Sequence, residues 1–164
     1  MKPARTPPGP GQGSVWDYPR PPRIEPTAKR LTVVVADRIV AETAHAFRVL
    51  ETSHPPVYYF PPGDVDESLL RPVGGSTSCE WKGQATYFDT VVGDIVRPRA
   101  AWSYPQPTAD SMAIKNFIAF YPALADLCTV DGVKVVPQPG GFYGGWITPD
   151  LAGPFKGGPG SMGW

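Results

Sequence analysis

Apolar positions in the middle of the chain recur mostly with period two rather than 3.6. Leu31-Thr32-Val33-Val34-Val35 and Arg38-Ile39-Val40 flank Ala36-Asp37 and predict a hairpin. Phe47-Arg48-Val49-Leu50-Glu51 predicts a strand ending in a turn of Thr52, Ser53, His54, Pro55 and Pro56. Val57-Tyr58-Tyr59-Phe60 predicts the next strand, stopped by Pro61-Pro62-Gly63. Residues 79–88 carry the clearest alternation, with Cys79, Trp81 and Tyr87 on one face and Glu80 and Lys82 on the other. A hairpin is expected across Gly93-Asp94, and residues 100–104 place Trp102 and Tyr104 on one face. Residues 117–121, 128–130 and 133–136 complete the strands. Helix signals are few. Asp64 can cap a short helix to Leu70, with Glu67 at the capping-box offset, and Thr108 can cap a second through Asn116. Gly74-Gly75-Ser76 reads as a turn. Short strands in series with one or two short helices predict a mainly β, antiparallel domain.

Composition adds the arms. Pro and Gly make 40 of 164 residues, and 25 of those 40 fall in residues 1–30 and 137–164. The chain therefore divides into a core over 31–136 and wrapping arms over 14–30 and 137–164, in one domain, with residues 1–13 expected to be mobile. The C-terminal arm holds Phe142, Tyr143, Trp146, Phe155 and Trp164. So much ring surface is costly in water, so this arm is expected to pack on the core.

Charge narrows the function. The formal net charge is zero, which disfavours a nucleic-acid partner. Residues 1–30 carry six bases against two acids and the core is acidic, so the basic arm is expected to lie on an acidic face. Apolar runs such as that from Leu31 to Ala36 are far too short for a membrane helix. The N-terminus has no apolar stretch of a secretory leader, so a cytoplasmic location with reduced thiols is expected.

Candidate chemistry starts at Glu51. It shares a strand face with Phe47 and Val49, so its carboxylate points inward, which is expensive unless it is paired or in a pocket. His54 follows in a turn stiffened by two prolines, and the two make a candidate acid–base pair. Lys82 is a candidate anion contact. Tyr58, Trp81, Tyr87, Trp102 and Tyr104 are large rings that can line a cage for a planar or cationic ligand. Asp64 and Asp66 form an Asp-x-Asp pair of the kind a metal-dependent nucleotidyltransferase uses, although helix capping explains them as well. Cys79 is a conceivable nucleophile with His54 as its base, with a packed thiol the simpler reading. The soft metal ligands His45, His54, Cys79 and Cys128 include no pair two to four residues apart, so no metal or cofactor is expected. Lys156 lies in a Gly-rich run without the Ser or Thr of a phosphate-binding loop.

Long motifs carry a resemblance: Glu51-Thr52-Ser53-His54-Pro55-Pro56-Val57-Tyr58-Tyr59, Pro61-Pro62-Gly63-Asp64-Val65, Cys79-Glu80-Trp81-Lys82-Gly83-Gln84-Ala85-Thr86-Tyr87 and Ala101-Trp102-Ser103-Tyr104-Pro105. On these, and on its Pro/Gly-rich flanks, the chain resembles domain of unknown function 427, over about 14–164. That resemblance implies a β-tent, a pair of small antiparallel sheets meeting at an angle. Many β-tents hold zinc on two Cys-x-x-Cys knuckles, which this sequence lacks. The family is sometimes labelled nucleotidyltransferase-like. The leading expectation is a small-molecule ligand, bound or modified in an aromatic pocket beside Glu51 and His54. The alternatives are the Asp64/Asp66 transferase and an interaction module that uses the arms.

Overall fold

The computed structural model of the protein describes residues 2–79 and 81–164. Strand takes 46% of the chain and helix 11%, the helix being short 3₁₀ turns, so the architecture is mainly β. One four-stranded sheet has the order β12-β11-β3-β4, from Val133–Lys134, Leu127–Val130, Leu31–Val35 and Arg38–Thr43. A second has the order β10-β9-β8-β7, from Ile118–Phe120, Ile95–Ser103, Gly83–Val92 and Leu70–Cys79. A third, β2-β5-β6, joins Arg23–Thr27, Ala46–Leu50 and Val57–Tyr59. The pairings in all three are antiparallel.

The predicted hairpins form where the turn residues allow. Ala36 and Asp37 take positive φ between β3 and β4, and Gly93 does so between β8 and β9. Three expectations change. Gly74-Gly75-Ser76 is not a turn but an irregularity inside β7, where the register shifts between Val73 and Ser76. Residues 64–70 form no single helix. Pro62–Asp64 and Glu67–Leu69 are separate 3₁₀ turns, and Asp66, not Asp64, caps the second by accepting from the Ser68 amide at 3.2 Å. Residues 79–88 are not one strand: Cys79 ends β7, Gly83 opens β8 opposite it, and Trp81 and Lys82 lie in the turn between. Gly83 makes the reversal at φ +107°. The reading of Glu80 falls outside the described residues.

One feature of the packing positions everything else. Strands β6, β10 and β9 make a wall whose alternate residues face opposite ways. Tyr58, Phe60, Ile118, Phe120 and Ala101 face a closed core built with β3, β4 and β11. Tyr59, Ala119 and Trp102 face a second cluster with Val49, Ala85 and Tyr104. Period two is the cause, since each strand of the wall contributes to both sides. β6 and β10 are joined by reciprocal backbone bonds between Phe60 and Ile118, at 2.8 and 2.9 Å.

The arms pack on this frame. Trp146 is fully buried in the core, and its indole N–H donates to the Phe120 carbonyl at 3.2 Å. Trp16 packs against Trp164 with centroids 5.7 Å apart and planes tilted by 53°. Thr6 donates to the Gly153 carbonyl, and Gly13–Ser14 (β1) pairs in parallel with Leu151–Ala152 (β15). Basic residues of the first arm meet acids elsewhere: Arg20 with Glu51, Lys29 with Asp150 and Arg30 with Glu42. No helix of the described residues is long and apolar enough to cross a membrane.

Candidate functional site

A cavity of about 350 Å³ opens on the second face of the wall, within the range of small-molecule sites. Glu51, His54 and Lys82 all line it, and so do Trp81, Tyr87, Trp102 and Tyr104. Three separated stretches of chain bring these side chains together. Tyr58 is the exception among the expected residues. Strand parity turns it into the core, where it meets Trp146 at 5.2 Å between centroids, and Tyr59 takes the cavity side instead. The Pro55-Pro56 break hid that parity, because alternation cannot be carried through an irregular turn.

The turn carrying Glu51 and His54 is held from both ends of the chain. The His54 amide donates to the Glu51 carbonyl at 3.0 Å, closing the turn. The Ser53 amide donates to Val15, the Thr52 hydroxyl to Tyr18, and the Lys156 amide to Ser53. Ser53 sits at φ 71°, an unfavourable region for a non-glycine residue, and its buried hydroxyl has no described partner. One residue thus bears two local costs in the turn that places the polar pair. The surrounding arms over-determine its conformation.

His54 is buried and its ring is locked by Gln138. The Gln138 side-chain oxygen accepts the Gly145 amide at 3.0 Å, which orients its amide group. Its NH₂ then donates to the Lys156 carbonyl at 2.8 Å and, with the other hydrogen, to His54 Nδ1 at 3.0 Å. His54 Nδ1 is therefore an acceptor and the proton sits on Nε2. Burial, reinforced by the positive charges of Lys156, Arg20 and Lys82, pushes the His54 pKa down to about 3. The ring is neutral at pH 7. Its Nε2–H faces the Glu51 carboxylate at 3.6 Å, too long for a hydrogen bond and, with a neutral ring, not an ion pair. Arg20 stands 3.4 Å from the same carboxylate oxygen and offsets the pull that Glu51 would exert on the imidazole.

The Trp81–Lys82 turn is fixed from below. The Trp81 carbonyl accepts the hydroxyls of Thr108 and Ser111 at 2.6 and 3.1 Å, and the Lys82 carbonyl accepts the Thr108 amide at 3.0 Å. Thr108 thus spends its hydroxyl on this turn and not on capping the 3₁₀ segment Ala109–Ile114. The rings of the cavity keep polar tips. Trp102 donates to the Tyr59 hydroxyl at 3.3 Å. Burial raises the pKa values of Tyr59, Tyr104 and Tyr121, the last to about 12, so all three are neutral phenols at pH 7.

The C-terminal arm roofs the cavity with Gln138, Phe142, Tyr143, Gly144 and Lys156. Gly144 packs against the Trp102 indole so closely that an added Cβ would overlap the ring. Tyr143 meets the His54 ring edge-on at 4.7 Å. Sequence reading missed Tyr59, Gln138, Tyr143 and Lys156. Gly144-Gly145 beside aromatics was the one local sign of close backbone approach.

The other candidates lie elsewhere. Asp64 accepts from the Thr43 hydroxyl at 2.6 Å, and Asp66 caps its turn and meets Arg38 at 3.6 Å. Neither lines the cavity. Cys79 is half-buried at the cavity wall. Cys128 is sealed in the core, where burial pushes its thiol up to about 12. His45 is exposed, so the four soft ligands do not converge. Among the described residues, no group of three or more His, Cys, Asp or Glu could hold a metal ion.

Fold and site together define a mainly β protein with an aromatic, partly charged cavity. Residues 23–131 match the family described as Domain of unknown function (DUF427), and the chain belongs to that family. The match takes in Glu51, His54, Lys82 and the cavity rings up to Tyr121, while Arg20 and the roof of 138–156 lie outside it. No curated protein matches the sequence.

Proposed function

We propose that the protein binds, and in the right company modifies, a small polar metabolite in this cavity. The observation that carries the reading is the convergence of Glu51, His54 and Lys82 with Trp81, Tyr87, Trp102 and Tyr104 around about 350 Å³ of space. In this reading the rings hold the ligand body and the three polar groups orient it. Glu51 is the proton acceptor or cation contact. His54, neutral and protonated on Nε2, is a hydrogen-bond donor to the ligand and not a base. Lys82 is an anion contact. The strained Ser53 turn supports the assignment, because such local cost persists where geometry matters.

The transferase reading has less to stand on, since Asp64 and Asp66 are both engaged in local contacts away from the cavity. A thermal-shift panel of metabolites and nucleotides, run with and without Mg²⁺, separates the readings. A ligand at ~100 times its dissociation constant raises stability by ~2.7 kcal/mol. The expected result is a metal-independent shift by one class of metabolite, lost in Glu51→Gln. A shift by nucleotides alone, dependent on Mg²⁺ and lost in Asp66→Ala, would overturn the proposal.

A further inference from the structure

The charges around the cavity specify its ligand more narrowly than its shape does. Glu51 is the one carboxylate among the described lining residues, and Arg20 already stands 3.4 Å from it. Lys82 and Lys156 line the cavity as well, from opposite parts of the chain: one in the β7–β8 turn, the other in the C-terminal arm. Lys156 Nζ donates to the Trp164 backbone oxygen at 3.3 Å and lies 5.7 Å from the Tyr143 ring centre. Among the described residues no Asp or Glu side chain comes within 4.0 Å of it, and Arg20 donates to the same Trp164 oxygen at 3.3 Å. Both amines are near enough to His54 to disfavour its protonation. His54 lines the same space as a buried neutral imidazole with its Nε2–H toward Glu51, and so adds no charge. Tyr59 and Tyr104 line the same cavity, and burial holds their phenols neutral. Among the described lining residues two lysines thus stand against one carboxylate, which itself faces Arg20, and the walls are aromatic.

We infer that the ligand is a ring-bearing anion, a carboxylate or a phosphate monoester, gripped between Lys82 of the core and Lys156 of the arm. The inference rests on the small-molecule reading of the cavity and names its substrate class. It also gives the arm a purpose beyond packing. Lys156 enters the site on a segment whose amide is bonded to Ser53 and whose carbonyl is bonded to Gln138, so the second cation arrives with the same contacts that lock His54. An anion between two amines gains charge-assisted bonds that a neutral ring cannot make.

Calorimetric titration of the full chain with benzoate, phenyl phosphate and the uncharged benzyl alcohol tests this. The expected result is that at least one anion binds well ahead of benzyl alcohol and weakens as salt rises. Lys82→Gln and Lys156→Gln should each weaken that anion about tenfold or more, as loss of a charge-assisted bond does. Lys156→Arg should restore most of the loss, which a merely structural lysine would not require. Comparison of benzoate with phenyl phosphate tells which anion the site prefers. Equal binding of benzyl alcohol, or anion binding untouched by both glutamine variants, would overturn the inference and leave the small-molecule reading standing. Binding by none of the three would count against both.

Discussion

The two faces of the β6-β10-β9 wall use the same residue types for opposite ends. On the core face, Tyr58, Phe60, Phe120 and Trp146 pack edge-on or tilted, with centroids 5.2 to 5.9 Å apart. On the cavity face, Tyr59, Trp102 and Tyr104 also meet, at 6.3 Å, but around open space. The core side is sealed by the arm residue Trp146. On the other side the arm arches over as a roof and leaves a chamber beneath. Rings with polar tips can face such a chamber at modest cost, because their hydroxyls and N–H groups find partners there. The lesson is that aromatic content alone does not separate core from site. Parity along three short strands does.

Matched truncations break this comparison most forcefully. Trp146→Ala removes a fully buried indole from a closed core and should cost about 3–5 kcal/mol in denaturant unfolding. Trp102→Ala removes the same group from a wall that already borders space. It should cost less, about 2–3 kcal/mol, and abolish probe binding. Equal losses would mean that the two faces are equally packed. Gly144→Ala is the next largest effect. Its Cβ would overlap the Trp102 ring, so the roof must lift, with a cost of about 1–3 kcal/mol and weaker ligand binding. Unchanged stability and affinity would show that the roof does not rest on Trp102.

Acid sharpens the comparison with a smaller effect. In the unfolded chain His54 takes up its proton near 6.5, and in the fold only near 3. The unfolded state therefore binds more protons in that window. Stability is intact above about pH 6.5 and drains as pH falls. Between pH 6.5 and 5 the loss from this one residue should be about 1–2 kcal/mol, and His54→Gln should flatten that limb. A limb unchanged in the variant would place the acid sensitivity elsewhere.

Much of the fold was legible because short strands announce themselves through alternation and turn residues. The β3–β4 and β8–β9 hairpins and the inward Glu51 follow from local pattern. So does the shared side of Trp102 and Tyr104. What failed were phase and turns. Lys82-Gly83 closes a hairpin inside what reads as one strand, because unbroken polar-apolar alternation outweighed a single glycine. Tyr58 and Tyr59 exchanged roles because two prolines erased the phase. Gln138 and Lys156 were invisible for another reason: they act through contacts 84 residues and more away in sequence, which no local pattern encodes.

The most direct test of the central claim is the protonation state of His54. The chain has 2 histidines, so His45→Gln leaves His54 as the one imidazole in a ¹⁵N-labelled sample. Long-range ¹H–¹⁵N correlation spectra between pH 7 and 5 then report its two ring nitrogens. The expected spectrum shows one protonated and one unprotonated nitrogen, with Nε2 carrying the hydrogen and no titration over that range. Gln138→Ala should release the lock and disturb the pattern. A ring that titrates near pH 6.5, or one protonated on Nδ1, would mean that Gln138 and burial do not hold His54 neutral on Nε2.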